Sequence, residues 1–257
     1  PNFEMEYERL TVKLSDVYPN EKVAGRIYRG LKDLTEELAT RRWLRPSDGF
    51  QLDTSRIMVD RGYKSSTIDL FCRDSPHRGI ITPIMGTSIR AKDRPMSEWK
   101  PHNGERKGHH YILKKTGNDS RIMYCSADSN YWKTQVHEGW STGPGDPGCL
   151  TLYNATDGHH SYFSQTQRSE YPTRTSGHGR SLDEWTHLPH RPDNHPFDCT
   201  YYAMCGGAME GIKFEYEAAS RPAPFCGGRA LSHRTEDRHS EAQDPRRSRP
   251  AATPLFA

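Results

Sequence analysis

Hydrophobic residues recur along the chain in short segments whose spacing alternates between helical and extended. From Asn20 to about Arg42 the apolar positions follow helical spacing, which predicts one amphipathic helix with Asn20 as its N-terminal cap. Three short apolar runs follow with brief connections, at Arg56–Asp60, Thr67–Cys72 and Gly79–Met85. Sequential strands with short connections favour antiparallel pairing, so we predict a meander of three strands.

A strand and helix pattern continues through the second half of the chain. Arg121–Ala127 predicts a fourth strand, with Asp128 or Ser129 capping a helix over Tyr131–Trp140, and Cys149–Tyr153 predicts a fifth strand. The fold class is therefore α/β, with a mixed five-stranded sheet of three antiparallel and then two parallel strands, flanked by helices. Further predicted elements are an added strand at Tyr111–Lys114, a helix at His160–Glu170, an extended segment at Leu182–Leu188 and a final helix at Pro196–Met209.

Three regions are predicted from these patterns. Residues 1–50 form a helical lead-in, residues 51–217 form the α/β domain, and residues 218–257 form a disordered basic tail with almost no periodic apolar positions. Within the domain, the segment from Thr87 to Gly108 is polar and rich in Arg, Lys and Pro. It predicts a long basic loop that could reach a polyanionic ligand.

Charge and composition narrow the function only slightly. The formal net charge of +3, from 36 basic and 33 acidic residues, gives a mild attraction for polyanions. A mean hydropathy of −0.94 indicates that part of the chain is solvated rather than packed. The chain contains no G-x-x-x-x-G-K-[ST] loop, so we expect that it does not encode an ATPase motor.

Cysteine spacing and hydropathy predict a reduced cytoplasmic protein. The cysteines are spread without a C-x-x-C pair, which argues against a zinc ribbon and against a disulfide framework. The N-terminus has no apolar signal-peptide region, and no apolar run is long enough to cross a bilayer. We therefore expect no membrane association. The cysteines are Cys72, Cys125, Cys149, Cys199, Cys205 and Cys226.

Three aspartates lie at the ends of predicted elements. Asp60 ends the first strand, Asp128 ends the fourth strand, and Asp198 lies in the first turn of the last helix. If the first and fourth strands are neighbours, these carboxylates converge on a pocket that could hold two Mg²⁺ or Mn²⁺ ions for phosphodiester cleavage. Each aspartate also has a structural interpretation, because Asp60 suits a turn, Asp128 suits a helix cap and Asp198 suits a helix N-terminus.

Three further residues are secondary candidates. Glu170 is a possible accessory ligand, Lys133 could contact a phosphate, and His195 lies near Asp198 as a possible general acid or base. For Glu170 and Lys133, an exposed surface position is the commoner use of such residues. The many histidines raise a zinc hydrolase as an alternative, but no H-E-x-x-H motif occurs, and the tryptophans fit core or rim packing better than base stacking.

Several short motifs resemble the nuclease domain of lambda-type phage terminase large subunits, which has a ribonuclease H-like fold. The resemblance spans roughly residues 51–211. The motifs are Val59–Tyr63, Cys125–Lys133, Ser169–Glu170 and Asn194–Asp198.

The resemblance implies a function and a set of partners. Asp60, Asp128 and Asp198 would be the metal-binding catalytic acids of a two-metal endonuclease that cuts double-stranded viral DNA during genome packaging. A terminase small subunit, a separate ATPase motor and a portal would be partners in a host bacterium that carries the phage or prophage. Two alternatives stay open: a non-catalytic nucleic-acid-binding or assembly module of the same fold, and a resolvase- or transposase-type nuclease.

Overall fold

The computed structural model describes residues 13–45, 48–117, 121–152, 160–190 and 193–212. The α-helices are α1 (Leu14–Val17), α2 (Val23–Thr40), α3 (Ser65–Asp74), α4 (Ser129–Ser141), α5 (Ser161–Gln167) and α6 (His195–Met209), with a 3₁₀ turn at Met96–Glu98. The strands are β1 (Arg42–Leu44), β2 (Gln51–Asp53), β3 (Ile57–Asp60), β4 (Ile81–Thr87), β5 (Arg106–Gly108), β6 (Tyr111–Lys115), β7 (Met123–Asp128), β8 (Glu170–Gly177) and β9 (Arg180–His187).

A mixed five-stranded sheet with flanking helices forms the centre of the fold, as the sequence predicts. Its strand order is β3-β4-β7-β6-β5. The pairs β3–β4 and β4–β7 are parallel, whereas β7–β6 and β6–β5 are antiparallel. The predicted pairing of three antiparallel strands followed by two parallel strands is therefore wrong. The carboxyl ends of β3, β4 and β7 meet at one edge, where parallel sheets commonly carry their functional residues.

The predicted strand at Thr67–Cys72 is a helix. Ile68, Phe71 and Cys72 are buried on one face of α3, where they pack against Val59 and Ile81. Their spacing of three and four residues is helical, and it was misread as a short extended run because the segment is brief. Since α3 connects two parallel strands, it replaces the predicted hairpin by a β3-α3-β4 crossover.

Other element boundaries also differ from the sequence predictions. Helix α2 begins after Lys22, which makes no side-chain capping bond, so Asn20 is not the cap. Residues 149–152 form no strand, and Tyr153 lies outside the described residues. The predicted helix at His160–Glu170 ends at Gln167, and Glu170 begins β8 instead.

The remaining helices and strands agree with the sequence patterns. The predicted β6, β7, α4, β9 and α6 are all present, and α2 confirms the N-terminal amphipathic helix. No helix in the described part of the chain is both long enough and apolar enough to cross a membrane. The described cysteines, all but Cys226, are free. The proposed tail at residues 218–257 lies outside the described residues.

The main core lies between the sheet and helices α4 and α6. Trp132 and Val136 of α4 and Phe197, Tyr201 and Cys205 of α6 are fully or almost fully buried there, together with residues of β4 and β7. Trp140 and Trp185 pack against this core, and Trp99 packs against a smaller cluster, which confirms the predicted packing role of these tryptophans.

A glycine on the central strand β4 allows α6 to approach the sheet. A β-carbon at Gly86 would overlap the hydroxyl of Tyr201 and would lie 3.4 Å from Cβ of Ser129. Because Gly86 has no side chain, Tyr201 and the α6 turn that carries it can pack closely against the sheet.

We expect Gly86→Ala to destabilise the fold by about 1–3 kcal/mol, because the added methyl group overpacks a closed core. Urea denaturation measures the loss. Adding Tyr201→Phe should recover part of it, since the overlapping atom is the hydroxyl and Cζ stays at 3.6 Å. Gly79→Ala is the matched control, because a β-carbon there meets no atom within 4 Å. Equal effects of Gly86→Ala and Gly79→Ala would contradict this account.

Candidate functional site

Helix α6 brings one acid of the site next to the end of β3. Asp198 lies in the first turn of α6, and Tyr202 lies one turn further along the same face. The hydroxyl of Tyr202 donates a hydrogen bond to Oδ1 of Asp60, at 3.1 Å. The carboxylate of Asp60 also accepts a bond from the backbone N–H of Gly62 at 3.0 Å. Asp60 is therefore linked through Tyr202 to the helix that carries Asp198.

A buried lysine lies between two acids at this site. Lys133, on α4, is 8% exposed, and its Nζ lies 2.6 Å from Oε1 of Glu170 and 3.0 Å from Oδ1 of Asp198. Glu170, at the start of β8, is itself only 9% exposed. The expected exposed positions of Lys133 and Glu170 are therefore wrong. Both side chains are buried because each satisfies the charge of the other.

An asparagine links the same two acids. The side-chain amide of Asn194 donates to Oε1 of Glu170 at 2.8 Å and to Oδ2 of Asp198 at 3.1 Å. Asn194 precedes α6 but its side chain makes no capping bond to the helix. It instead holds the two carboxylates in place. In the sequence, the only signal for this role is that Asn194 lies four residues before Asp198, directly before the first turn of α6.

Burial controls the electrostatics of Asp198. Loss of solvent raises the pKa of this carboxyl above its usual value, the nearby charge of Lys133 lowers it, and the negative charges of Glu170 and Asp60 raise it further. Oδ1 of Asp198 is buried and lies 3.0 Å from Nζ of Lys133, its ion-pair partner.

The third predicted aspartate lies apart from the other two. Strand β4 lies between β3 and β7, so the prediction that the strands of Asp60 and Asp128 are neighbours is wrong. Two strand spacings separate them by roughly 10 Å. Asp60 pairs with Ile84 and Asp128 with Thr87, which adds an offset of roughly 10 Å along the strands. Asp60 and Asp128 therefore share an edge of the sheet but not a pocket.

Asp128 has partners of its own. Its Oδ1 accepts the backbone N–H of Tyr131 at 3.3 Å, which caps α4 as the structural interpretation predicts. Its Oδ2 lies 3.4 Å from Nδ1 of His110, whose ring stacks on Tyr131. His195, the remaining secondary candidate, is exposed at the first position of α6. The catalytic role of each of these residues stays a prediction.

The acids of this site are of the type that a hard divalent cation prefers. Oxygens of Asp60, Glu170 and Asp198 are the ligands that Mg²⁺ and Mn²⁺ commonly take, although Oδ1 of Asp198 already lies 3.0 Å from Nζ of Lys133. Within the described ranges, no three His, Cys, Asp or Glu side chains stand close enough together to form a preformed metal site. We attribute this spacing to Lys133, whose ammonium lies between Glu170 and Asp198.

The basic segment after β4 is more ordered than the predicted loop. Ile89 and Met96 are buried against Ile112 of β6. The side-chain amide of Asn130 donates to the backbone oxygen of Ile89 at 3.1 Å, only two residues beyond Asp128. The segment from Thr87 to Gly108 is thus anchored at the same edge of the sheet as the acids.

The hairpin β8–β9 braces this segment from its other side. Arg180 donates to the backbone oxygens of Arg90 and Asp93 at 2.7 and 2.6 Å, and Glu184 accepts from the backbone N–H of Ala91 at 3.0 Å. The side chains of Arg90 and Lys92 are left exposed. This turn therefore presents two exposed basic side chains near the edge of the sheet that carries Asp128.

The chain is thus an α/β protein that has acidic residues at the carboxyl edge of its sheet and a basic turn held by the β8–β9 hairpin. The sequence model of the family described as "Terminase large subunit gpA, endonuclease domain" matches residues 20–218. The chain therefore belongs to this family, which points to a nuclease role in DNA packaging. Neither the curated proteins nor the solved structures give a significant match.

The raised pKa of Asp198 predicts a cost to folding that depends on pH. Because the carboxyl binds its proton more tightly in the folded chain, stability falls as pH rises through the range between the unfolded and folded pKa values. We expect Asp198→Asn to have a higher Tm than wild type at pH 7, and the difference to shrink towards about pH 4. Thermal denaturation without divalent ions measures both.

Asp74→Asn is the control for this comparison, because the fully exposed Asp74 has its pKa lowered by Arg73 and should give no increase in Tm at pH 7. A lower Tm for Asp198→Asn than for wild type at pH 7 would show that the ion pair with Lys133 outweighs the cost of burying the Asp198 charge.

Proposed function

We propose that the chain is a metal-dependent endonuclease that cuts double-stranded viral DNA during genome packaging. The observation that carries this proposal is the pair of acids Glu170 and Asp198 joined by Lys133, with Asp60 bound by Tyr202 one turn along α6 from Asp198. Family membership supports a nuclease role, and the cluster supplies carboxylates of the kind that metal-dependent nucleases use. DNA is the proposed substrate, and a terminase small subunit, a separate ATPase motor and a portal are the proposed partners.

The acids would hold Mg²⁺ or Mn²⁺ at the carboxyl edge of the sheet. When bound, such an ion lowers the pKa of water to give a nucleophile and neutralises charge at the scissile phosphate. Tyr202 and the backbone of Gly62 orient the Asp60 carboxylate through Oδ1, which leaves its other oxygen free for this role. Asn194 orients Glu170 and Asp198 in the same way.

Positively charged side chains would offset the electrostatic repulsion between the acids and DNA. An acidic cluster by itself repels a phosphodiester, and Lys133 offsets part of that repulsion from within the site. Arg90 and Lys92 would bind backbone phosphates further along the duplex, because their turn is held by Asn130, Arg180 and Glu184. Asp128 would act at the same edge by holding His110.

Plasmid nicking in the presence of Mn²⁺ tests the proposed activity. We expect Asp60→Ala, Glu170→Gln and Asp198→Ala each to lower the nicking rate at least about 100-fold, because each removes a carboxylate that binds the ion. Asp74→Ala is the control at an exposed position. Adding Asp128→Ala to the series decides whether Asp128 takes part in the cutting of DNA.

The same assay separates the other functions. DNA binding without cutting by the wild type would indicate a non-catalytic module, and preferential cutting of branched DNA would indicate a resolvase-type nuclease. Equal cutting by the wild type and all the acid variants would refute the assigned site.

Replacing Arg90 and Lys92 together by alanine tests the DNA contact. If each side chain neutralises one phosphate, affinity for linear duplex should fall and the slope of log K against log salt should decrease by about 2. Fluorescence anisotropy over a salt series measures both quantities. Lys22→Ala with Lys32→Ala removes the same charge from exposed positions before and on α2. A similar loss in this control would show that the effect is one of overall charge.

A further inference from the structure

We propose that the basic edge of the central sheet, formed by residues 94–115, is a second contact surface for DNA, distinct from the acids and from the turn that carries Arg90 and Lys92. This inference rests on the proposed function, because it takes the proposed substrate as its ligand. The starting observation is an uneven distribution of charge. The basic edge carries six basic and two acidic side chains, a net charge of +4, whereas the whole chain has a net charge of +3. The remainder of the chain is therefore slightly negative.

Most cations of the basic edge have no acid that neutralises them. Arg94 pairs with Glu98 at 3.4 Å, and the carboxylate of Glu105 accepts a bond from the backbone N–H of His102 at 2.9 Å. Uncompensated cations that share one surface favour a polyanion as their partner. Within the described residues, the other five basic side chains of this edge form no ion pair: Lys100, Arg106, Lys107, Lys114 and Lys115.

Trp99 brings two of these lysines together. Nζ of Lys114, on β6, lies 4.8 Å from the centroid of the Trp99 ring. Nζ of Lys107, on β5, donates to the backbone oxygens of Ser97 and Trp99 at 2.6 and 3.3 Å. The partners of both ammonium groups are neutral, so the lysines are positioned without loss of their charge. Two positive charges therefore lie beside one half-buried ring.

The segment that carries Trp99 is anchored to the sheet. Met96 is 2% exposed and packs with Ile89 and Ile112 in a hydrophobic cluster, and Trp99 packs against the same cluster. The indole N–H of Trp99 donates to the backbone oxygen of Arg94 at 2.9 Å. Because Ile89 lies at the start of the basic turn, the cluster also connects that turn to the basic edge. A packed segment thus presents the cations, and little ordering is needed when DNA binds.

The basic edge lies on the opposite side of the sheet from Asp60. Asp60 ends β3, which is the first strand in the order β3-β4-β7-β6-β5, and Lys107 lies on β5, which is the last. Four strand spacings separate these two strands by roughly 20 Å. A duplex rises about 3.4 Å per base pair, so this span corresponds to roughly six base pairs. A duplex that crosses the strands can therefore contact the basic edge while its scissile phosphate lies near the acids.

Binding of a duplex of about 20 base pairs tests the inference on the full chain, because this length exceeds the span. EDTA prevents cutting, and fluorescence anisotropy over a salt series gives the affinity. Lys107→Ala with Lys114→Ala removes the two charges beside Trp99. We expect at least about 10-fold weaker binding at low salt and a shallower salt dependence, by about 2 in the log–log slope. Lys107→Arg with Lys114→Arg retains the charge and should bind like the wild type.

A second variant guards against loss of folding in the first. Lys100→Ala with Arg106→Ala removes two exposed side chains that make no hydrogen bond within the described part of the chain. We expect the same direction of change. The control is Lys22→Ala with Lys32→Ala, which removes equal charge away from the basic edge.

Circular dichroism checks the folding of each variant. A folded Lys107→Ala, Lys114→Ala variant that binds duplex as tightly as the control would overturn the inference, and so would a loss confined to single-stranded DNA. If this variant does not fold, the variant at Lys100 and Arg106 decides by the same criterion.

The two proposals fail in different ways. If the variants of the basic edge lose affinity but the wild type cuts no DNA with Mn²⁺, the contact surface stands and the endonuclease is refuted. If the wild type nicks plasmid DNA but the variants bind duplex like the control, the endonuclease stands and the contact surface is refuted.

Discussion

The ion pairs of Lys133 are the interaction on which the site depends. They join α4, the first residue of β8 and the first turn of α6, which share no strand pairing with one another. Removing Lys133 would leave the charge of the buried Glu170 uncompensated, at a cost of about 3–5 kcal/mol. The ion pairs that hold the acids together therefore also hold three separate segments of the chain at one edge of the sheet.

Local patterns were sufficient to predict much of the fold. The alternation of apolar runs and amphipathic segments gave β3, β7, α4 and α6, and Asp198 was correctly placed in the first turn of α6. These elements bury regular apolar stripes, so their hydrophobic spacing reflects their final environment. The pairing of the sheet was not predicted, because reading α3 as a strand turned a parallel crossover into a hairpin.

The partnership of Lys133, Glu170 and Asp198 could be seen only in three dimensions. Lys and Glu are usually exposed, and no sequence spacing distinguishes an exposed pair from one buried between a helix and a hairpin. For Asp128, the sequence instead suggests a partnership with Asp60 that the strand order does not support. Its place at the end of a strand suggested convergence with Asp60, but whether two strand ends meet depends on the strand that lies between them, here β4.

The hairpin β8–β9 begins at Glu170 and reaches the basic turn with its far end. Its strands pair residue by residue from Glu170–His187 to Gly177–Arg180, and Gly177 lies against the backbone of Ala91 and Lys92. The paired strands thus fix the distance between Glu170 and the turn that carries Arg90 and Lys92. Shortening or lengthening it by one pair would shift the acid relative to the turn by roughly 3 Å. An insertion in this hairpin would therefore move the basic turn relative to Glu170, although the hairpin lies outside the central sheet.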